Sequence, residues 1–142
     1  MSDWDRHLQL ARSGLAPAMP LVGDWIGEGR AHGEAVTASL RVRSVLSDTQ
    51  LELWERVGDH EDVCFYRFDV GSGQLRVVHL MAGAVADHAV EASPDGLVWV
   101  TPPSVPAVVW SLRVTGAGEE LRSEVFWPDQ RVAEVEILYR RG

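Results

Sequence analysis

From Leu21 onward, apolar and polar residues alternate in short runs separated by turn residues. Val36, Ala38, Leu40 and Val42 share one parity, with Thr37, Ser39, Arg41 and Arg43 on the other. Alternation of this kind marks strands with one face in a core and one in solvent. The same pattern puts Val108, Trp110, Leu112 and Val114 on one face, and Leu121, Ser123, Val125 and Trp127 on another, opposed by Glu120, Arg122 and Glu124. It returns near the C-terminus, with Ala133, Val135, Ile137 and Tyr139 inward and Glu134 and Glu136 outward. In the run at 49–57 the inward set is ambiguous, because Leu51, Leu53 and Val57 oppose Gln50, Glu52, Trp54 and Arg56.

Ten such runs are predicted, at about 21–31, 35–46, 49–57, 62–70, 74–81, 84–91, 97–101, 107–115, 119–127 and 131–140. The breaks between them carry turn residues: Ser47-Asp48, Gly58 to Glu61, Gly71-Ser72-Gly73, Ala82-Gly83, Ser93 to Gly96, Gly116-Ala117-Gly118 and Pro128-Asp129-Gln130. The stretch Pro102-Pro103-Ser104-Val105-Pro106 reads as a stiff rim loop. None of the connections can hold a crossover helix. The expected fold is therefore all-β, an antiparallel up-and-down ten-stranded β-barrel over residues 21–141.

Ahead of it, Trp4, Leu8, Ala11 and Leu15 fall on one helical stripe, Ser2 and Asp5 form a capping pair, and Gly14, Pro17 and Pro20 end the run. A helix over residues 1–15 is expected to dock across one open end of the barrel, since a helix this short is marginal alone. Residues 1–142 then make one domain.

The opening strand is unusual. Gly23, Trp25, Gly27 and Gly29 share one face, so a single large ring is flanked by positions without side chains. Glycine weakens a strand and marks close backbone approach or sharp coiling.

Composition narrows the function classes. With 13 Lys+Arg against 21 Asp+Glu the net charge is −8, which disfavours phosphate backbones and anionic lipid, so neither nucleic acid nor a membrane is expected as a partner. The longest apolar stretch, 96–110, is broken by three prolines and falls short of the ~20 residues of a membrane span. The first fifteen residues carry Asp3, Asp5, Arg6 and Arg12 and no apolar h-region, so the expectation is a cytoplasmic protein. A homodimer is compatible with all of this. The chain has neither Lys nor Asn, which removes Schiff-base chemistry and fits the coding bias of a GC-rich bacterial genome.

Cys64 is the single cysteine and shares a face with Tyr66 and Phe68; with no histidine beside it in sequence or expected pairing, it reads as a small buried hydrophobe. The cluster Glu52, Glu55, Arg56, Asp59, His60, Glu61 and Asp62 reads as a solvated rim. No Ser-His-Asp arrangement stands out, and nothing favours an enzyme over a binding protein.

The candidate site comes from parity. A two-residue Ala82-Gly83 turn would pair Met81 with Ala84, His79 with Ala86, and His88 with Val77. His79 and His88 then face inward as diagonal neighbours, about 7–8 Å apart. They suit a ligand's polar group, but two nitrogens are too few for a transition metal, and no inward carboxylate is evident on a neighbouring run. Trp25, Trp99, Trp110, Trp127, Tyr66 and Tyr139 share inward parity. They either fill the core or wall a cavity with sparse polar anchors. The expected ligand-binding set is Trp25, Tyr66, His79, Met81, His88, Trp99, Trp110, Trp127 and Tyr139, around a small hydrophobic ligand.

Gly23-Asp24-Trp25-Ile26-Gly27-Glu28-Gly29, the central Phe65 to Val70 and Leu75 to His79 hairpin, and the closing Ile137-Leu138-Tyr139-Arg140-Arg141 resemble the calycin-like (lipocalin and fatty-acid-binding-protein-like) barrels, most closely the nitrobindin-like branch. The resemblance implies a ten-stranded barrel enclosing a small, mostly apolar ligand, which is haem in nitrobindins. The position of that branch's axial histidine falls here on Glu134, and no histidine follows His88. Haem and its nitric-oxide chemistry are therefore not carried over. Three readings stay open: a lumenal binder of an apolar or aromatic ligand, a haem or metal protein or small enzyme using His79 or His88, and a filled barrel acting as an interaction module.

Overall fold

A computed structural model describes residues 1–94, 96–100, 108–127 and 132–142, the side chains of Met81 and Val100 excepted. Helix α1 (Asp3–Leu15) starts at the Ser2 cap, whose Oγ accepts the Asp5 N–H at 3.0 Å while Asp5 reaches back to Ser2, a closed capping box. A 3-10 helix, Ala16–Leu21, follows with Pro17 at its start.

The remaining chain forms one all-β antiparallel sheet that rolls into a nearly closed barrel. Its strands are β1 (Gly23–Ala31), β2 (Glu34–Val45), β3 (Gln50–Val57), β4 (His60–Asp69), β5 (Gln74–Met81), β6 (Ala84–Ala89), β7 (Glu91–Ser93), β8 (Gly96–Val100), β9 (Val109–Thr115), β10 (Glu120–Phe126) and β11 (Val135–Arg141). Each pairs with its sequence neighbour except at two places: β1 also pairs with β11, and β6 and β7 are the two ends of the sheet. The expected count of ten becomes eleven because the run at 84–91 bends. Its first part lies on β5, ending with Val90 N–H to Leu75 O at 2.9 Å, and its second part turns onto β8. One bent segment thus serves both margins and leaves little open edge. The pairing expected around Ala82-Gly83 is present: Met81↔Ala84, His79↔Ala86 and Val77↔His88.

The glycines of β1 make room for β11. A Cβ on Gly27 would meet Tyr139 Cδ1 at 2.6 Å, and one on Gly29 would strike the carbonyl oxygen of Glu136. Close approach along this seam lets Tyr139 and Ile137, both fully buried, reach the interior.

The leader plugs one end. Leu15, Ala18 and Leu21 join the core, and Trp25 Nε1–H donates to Leu21 O at 2.9 Å. Arg141 stacks its guanidinium over the Trp25 ring at 3.9 Å and donates to Val22 O at 2.7 Å, tying the last strand to the leader. The expected stripe on α1 is only half used. Ala11 and Leu15 are buried, but Trp4 is 64% exposed and stacks on His7 instead. The barrel meets the C-terminal half of the helix, where Gly14 lies directly against the Phe68 ring, so the first turns project past it.

One further expectation changes. Cys64 is paired directly with His79 across β4 and β5, so a histidine does neighbour it; burial still pushes the thiol pKa well up and keeps it an inert core group. The loop 102–106 and the turn 128–130 lie outside the described residues. No helix among the described residues is long and apolar enough to cross a membrane.

Candidate functional site

At the end of the barrel away from the leader, a cavity of about 350 Å³ lies between the last residues of β1, β3, β5, β8 and β10 and the first of β4, β9 and β11. Trp99, Trp110 and Trp127 form its aromatic wall, with Val57, Val108, Val125 and Val135 completing the apolar surface. The polar wall is His79, Glu55, Asp62 and His60, with His32 and Glu134 on the β1 and β11 side.

Strand parity explains who is there. Leu51, Leu53 and Val57 face the core on β3, so Glu55 shares their side; Cys64 and Tyr66 face it on β4, so Asp62 does as well. Glu55 and Asp62 are only 5% and 9% exposed. The acidic cluster expected as a solvated rim therefore splits: Asp59 and Glu61 stay exposed, while Glu55 and Asp62 turn inward. This also overturns the expectation that no inward carboxylate neighbours the histidines. Glu134, expected outside, lines the cavity and accepts from His32 Nδ1 at 2.8 Å, because it precedes β11 and escapes that strand's alternation.

Three hydrogen-bonded units hold the polar wall. Asp62 takes His79 Nε2 on Oδ1 and His60 Nε2 on Oδ2, both at 2.9 Å, so its carboxylate bridges a buried imidazole and an exposed one. Among the described residues, His79 Nδ1 is buried without a hydrogen-bond partner. Glu55 accepts the Tyr139 hydroxyl at 2.6 Å, and the Ser123 hydroxyl lies beside it. Burial, reinforced by the facing Asp62, pushes the Glu55 carboxyl up to about 7, against the smaller opposing effect of those hydroxyls. The same burial and the Glu55 charge push the Tyr139 phenol well above its ordinary value. The third unit is Trp110 Nε1–H to Ser123 Oγ at 2.9 Å, which orients that indole.

The sequence-expected residues separate into two groups. His79, Trp99, Trp110 and Trp127 line the cavity. Trp25, Tyr66, His88 and Tyr139 are not among its described lining residues. His88 stacks on Trp99 with centroids 5.0 Å apart, and Tyr66 accepts Trp99 Nε1–H at 3.0 Å, so both support that indole from behind. Tyr139 acts through Glu55, and Trp25 belongs to the leader end. The side chain of Met81 lies outside the described residues. His79 and His88 each pack against Trp99, and no group of three His, Cys, Asp or Glu among the described residues could hold a metal ion.

Haem does not fit this donor set. Glu134, at the position where the resemblance would put the axial histidine, is engaged by His32. His79 is committed through Nε2 to Asp62 and packed between Trp99 and Trp110, whose ring centroids lie 5.1 and 5.5 Å from its own. No protein-family model and no curated protein sequence matches this chain.

Proposed function

We propose that the protein is a binding protein that takes a small, mostly apolar aromatic ligand into this cavity. The observation that carries the reading is the composition of the wall: three indoles, four valines and Ala31 make up its apolar part, beside six polar side chains, three carboxyls and three imidazoles. Pockets for small organic molecules have this make-up, with apolar surface giving affinity and sparse polar groups giving orientation. Of the histidines first expected to anchor the ligand, His79 keeps a direct role in this reading, while His88 and Tyr66 set the pose of Trp99. The reading as a filled interaction module loses ground to a cavity of about 350 Å³. The glycine-lightened β1 between β2 and β11 and the neighbour-to-neighbour strand order support a likeness to calycin-like barrels of the nitrobindin branch.

The test is titration of a panel of mono- and bicyclic aromatic compounds, followed by quenching of intrinsic tryptophan fluorescence and by calorimetry. Saturable binding that is lost in a cavity-filling variant supports the reading. Absence of binding across the panel rejects it.

A further inference from the structure

The polar side of the cavity is unevenly paired. Three carboxyl groups, Glu55, Asp62 and Glu134, face three imidazoles, and no Arg is among the described lining residues. The imidazoles are already assigned: His32 to Glu134, His60 and His79 to Asp62. Glu55 alone has neither an imidazole nor a guanidinium partner among the described residues; its hydrogen bond comes from the Tyr139 hydroxyl. A carboxylate buried without a counter-ion is costly, and a ligand cation would supply what the protein does not. Hydrogen-bonding capacity points the same way. With Nε2 engaged by Asp62, the other ring nitrogen of His79, Nδ1, is buried and unsatisfied among the described residues. The indole N–H groups of Trp99 and Trp110 are committed to Tyr66 and Ser123. The wall therefore offers acceptors and π-faces and few donors, a setting that favours cations and disfavours anions.

Resting on the binding reading above, we infer that the ligand is a donor-bearing aromatic amine, held as its ammonium by Glu55 and His79 with its ring against Trp99 and Trp110. The same wall disfavours aromatic carboxylates, fatty acids and other anions.

Three isosteric probes separate the possibilities: 2-naphthylmethylamine, 2-naphthylmethanol and 2-naphthoate, each titrated by calorimetry near pH 8. The expected order of affinity is amine, then alcohol, then acid, with the amine at least about tenfold tighter than the acid. Glu55→Gln, which keeps an acceptor for Tyr139, should cost the amine about tenfold and leave the alcohol within about twofold. Circular dichroism of the variant establishes that it is folded, and His79→Gln supplies a second, independent loss confined to the donor-bearing probes. Acid binding as tightly as amine, or Glu55→Gln weakening all probes equally, overturns the ammonium inference and leaves the binding reading standing. Failure of all three to bind overturns both.

Discussion

Glu55 and Asp62 stand directly opposite each other across the β3–β4 ladder, two buried carboxyl groups on one face of one strand pair. Like charges in facing positions destabilise a sheet, and here the environments separate them. Asp62 is held by two imidazoles, whereas Glu55 is held only by hydroxyls and has its pKa driven up to about 7. Acids held in such different environments cluster at functional sites.

The Glu55 shift makes stability depend on pH. Its folded pKa of about 7 lies above the ordinary 4.5, so the group is protonated in both states below about pH 4.5 and imposes no cost there. Between 4.5 and 7 the unfolded chain ionises first, and folding stability falls as pH rises, by on the order of 3 kcal/mol for 2.5 units. Urea unfolding of Glu55→Gln and the parent at pH 5 and pH 8 should show the variant gaining relative stability at the higher pH by a large part of that amount. A constant difference between the two pH values would contradict it.

Ammonium affinity should rise with pH across the same window, because the counter-ion appears only when Glu55 ionises. Among the described residues, the other titratable groups on the cavity wall are His32, His60, His79, Asp62 and Glu134, with Tyr139 behind Glu55. Only the part of the pH dependence that vanishes in Glu55→Gln belongs to Glu55. A calorimetric Kd profile from pH 6 to pH 8 for both proteins checks this.

Asp62 and Asp59 sit three residues apart in the same acidic run, yet should respond differently. Asp62→Asn keeps only one carbonyl oxygen for two imidazoles and should lower stability by about 1–3 kcal/mol. Asp59→Asn, in an exposed turn, should stay within about 0.5 kcal/mol. Thermal melts of the two variants read the contrast.

Gly29→Ala should destabilise by about 1–3 kcal/mol or more, since its new methyl meets the Glu136 backbone oxygen, which cannot rotate away. Gly33→Ala has open space around it and only its positive φ of 81° against it, so about 1 kcal/mol is expected. Urea denaturation ranks them.

Val125→Trp, at the cavity wall, should fill much of the lumen. Neutral aromatic probes should lose at least about tenfold in affinity with little change in the melting curve, because the added ring enters existing space. Unchanged affinity would mean that the ligands bind elsewhere.

Much of the architecture is readable as alternation. The Val36 to Val42 face, the glycine–tryptophan strand and the Met81-Ala82-Gly83-Ala84 turn come through with their registers because a period of two assigns every side chain to a face. The same rule places Glu55 with Leu51, Leu53 and Val57, and Asp62 with Cys64 and Tyr66. Charge concealed it: seven polar residues in a short stretch resemble a solvated turn, although two of them occupy inward positions. Glu134 carried no such signal, since it lies outside a regular strand.

The chain by itself determined the antiparallel order, the capped leader helix and which faces look inward, since these follow from near-neighbour sterics and hydrophobic spacing. Only the tertiary structure decided that the run 84–93 bends to serve both margins of the sheet, that His79 meets Asp62 while His88 meets Trp99, and that Glu55 has no imidazole or guanidinium partner among the described residues. Those outcomes depend on which side chains converge across a closed barrel, and that convergence is set by its curvature and stagger, which no local pattern encodes.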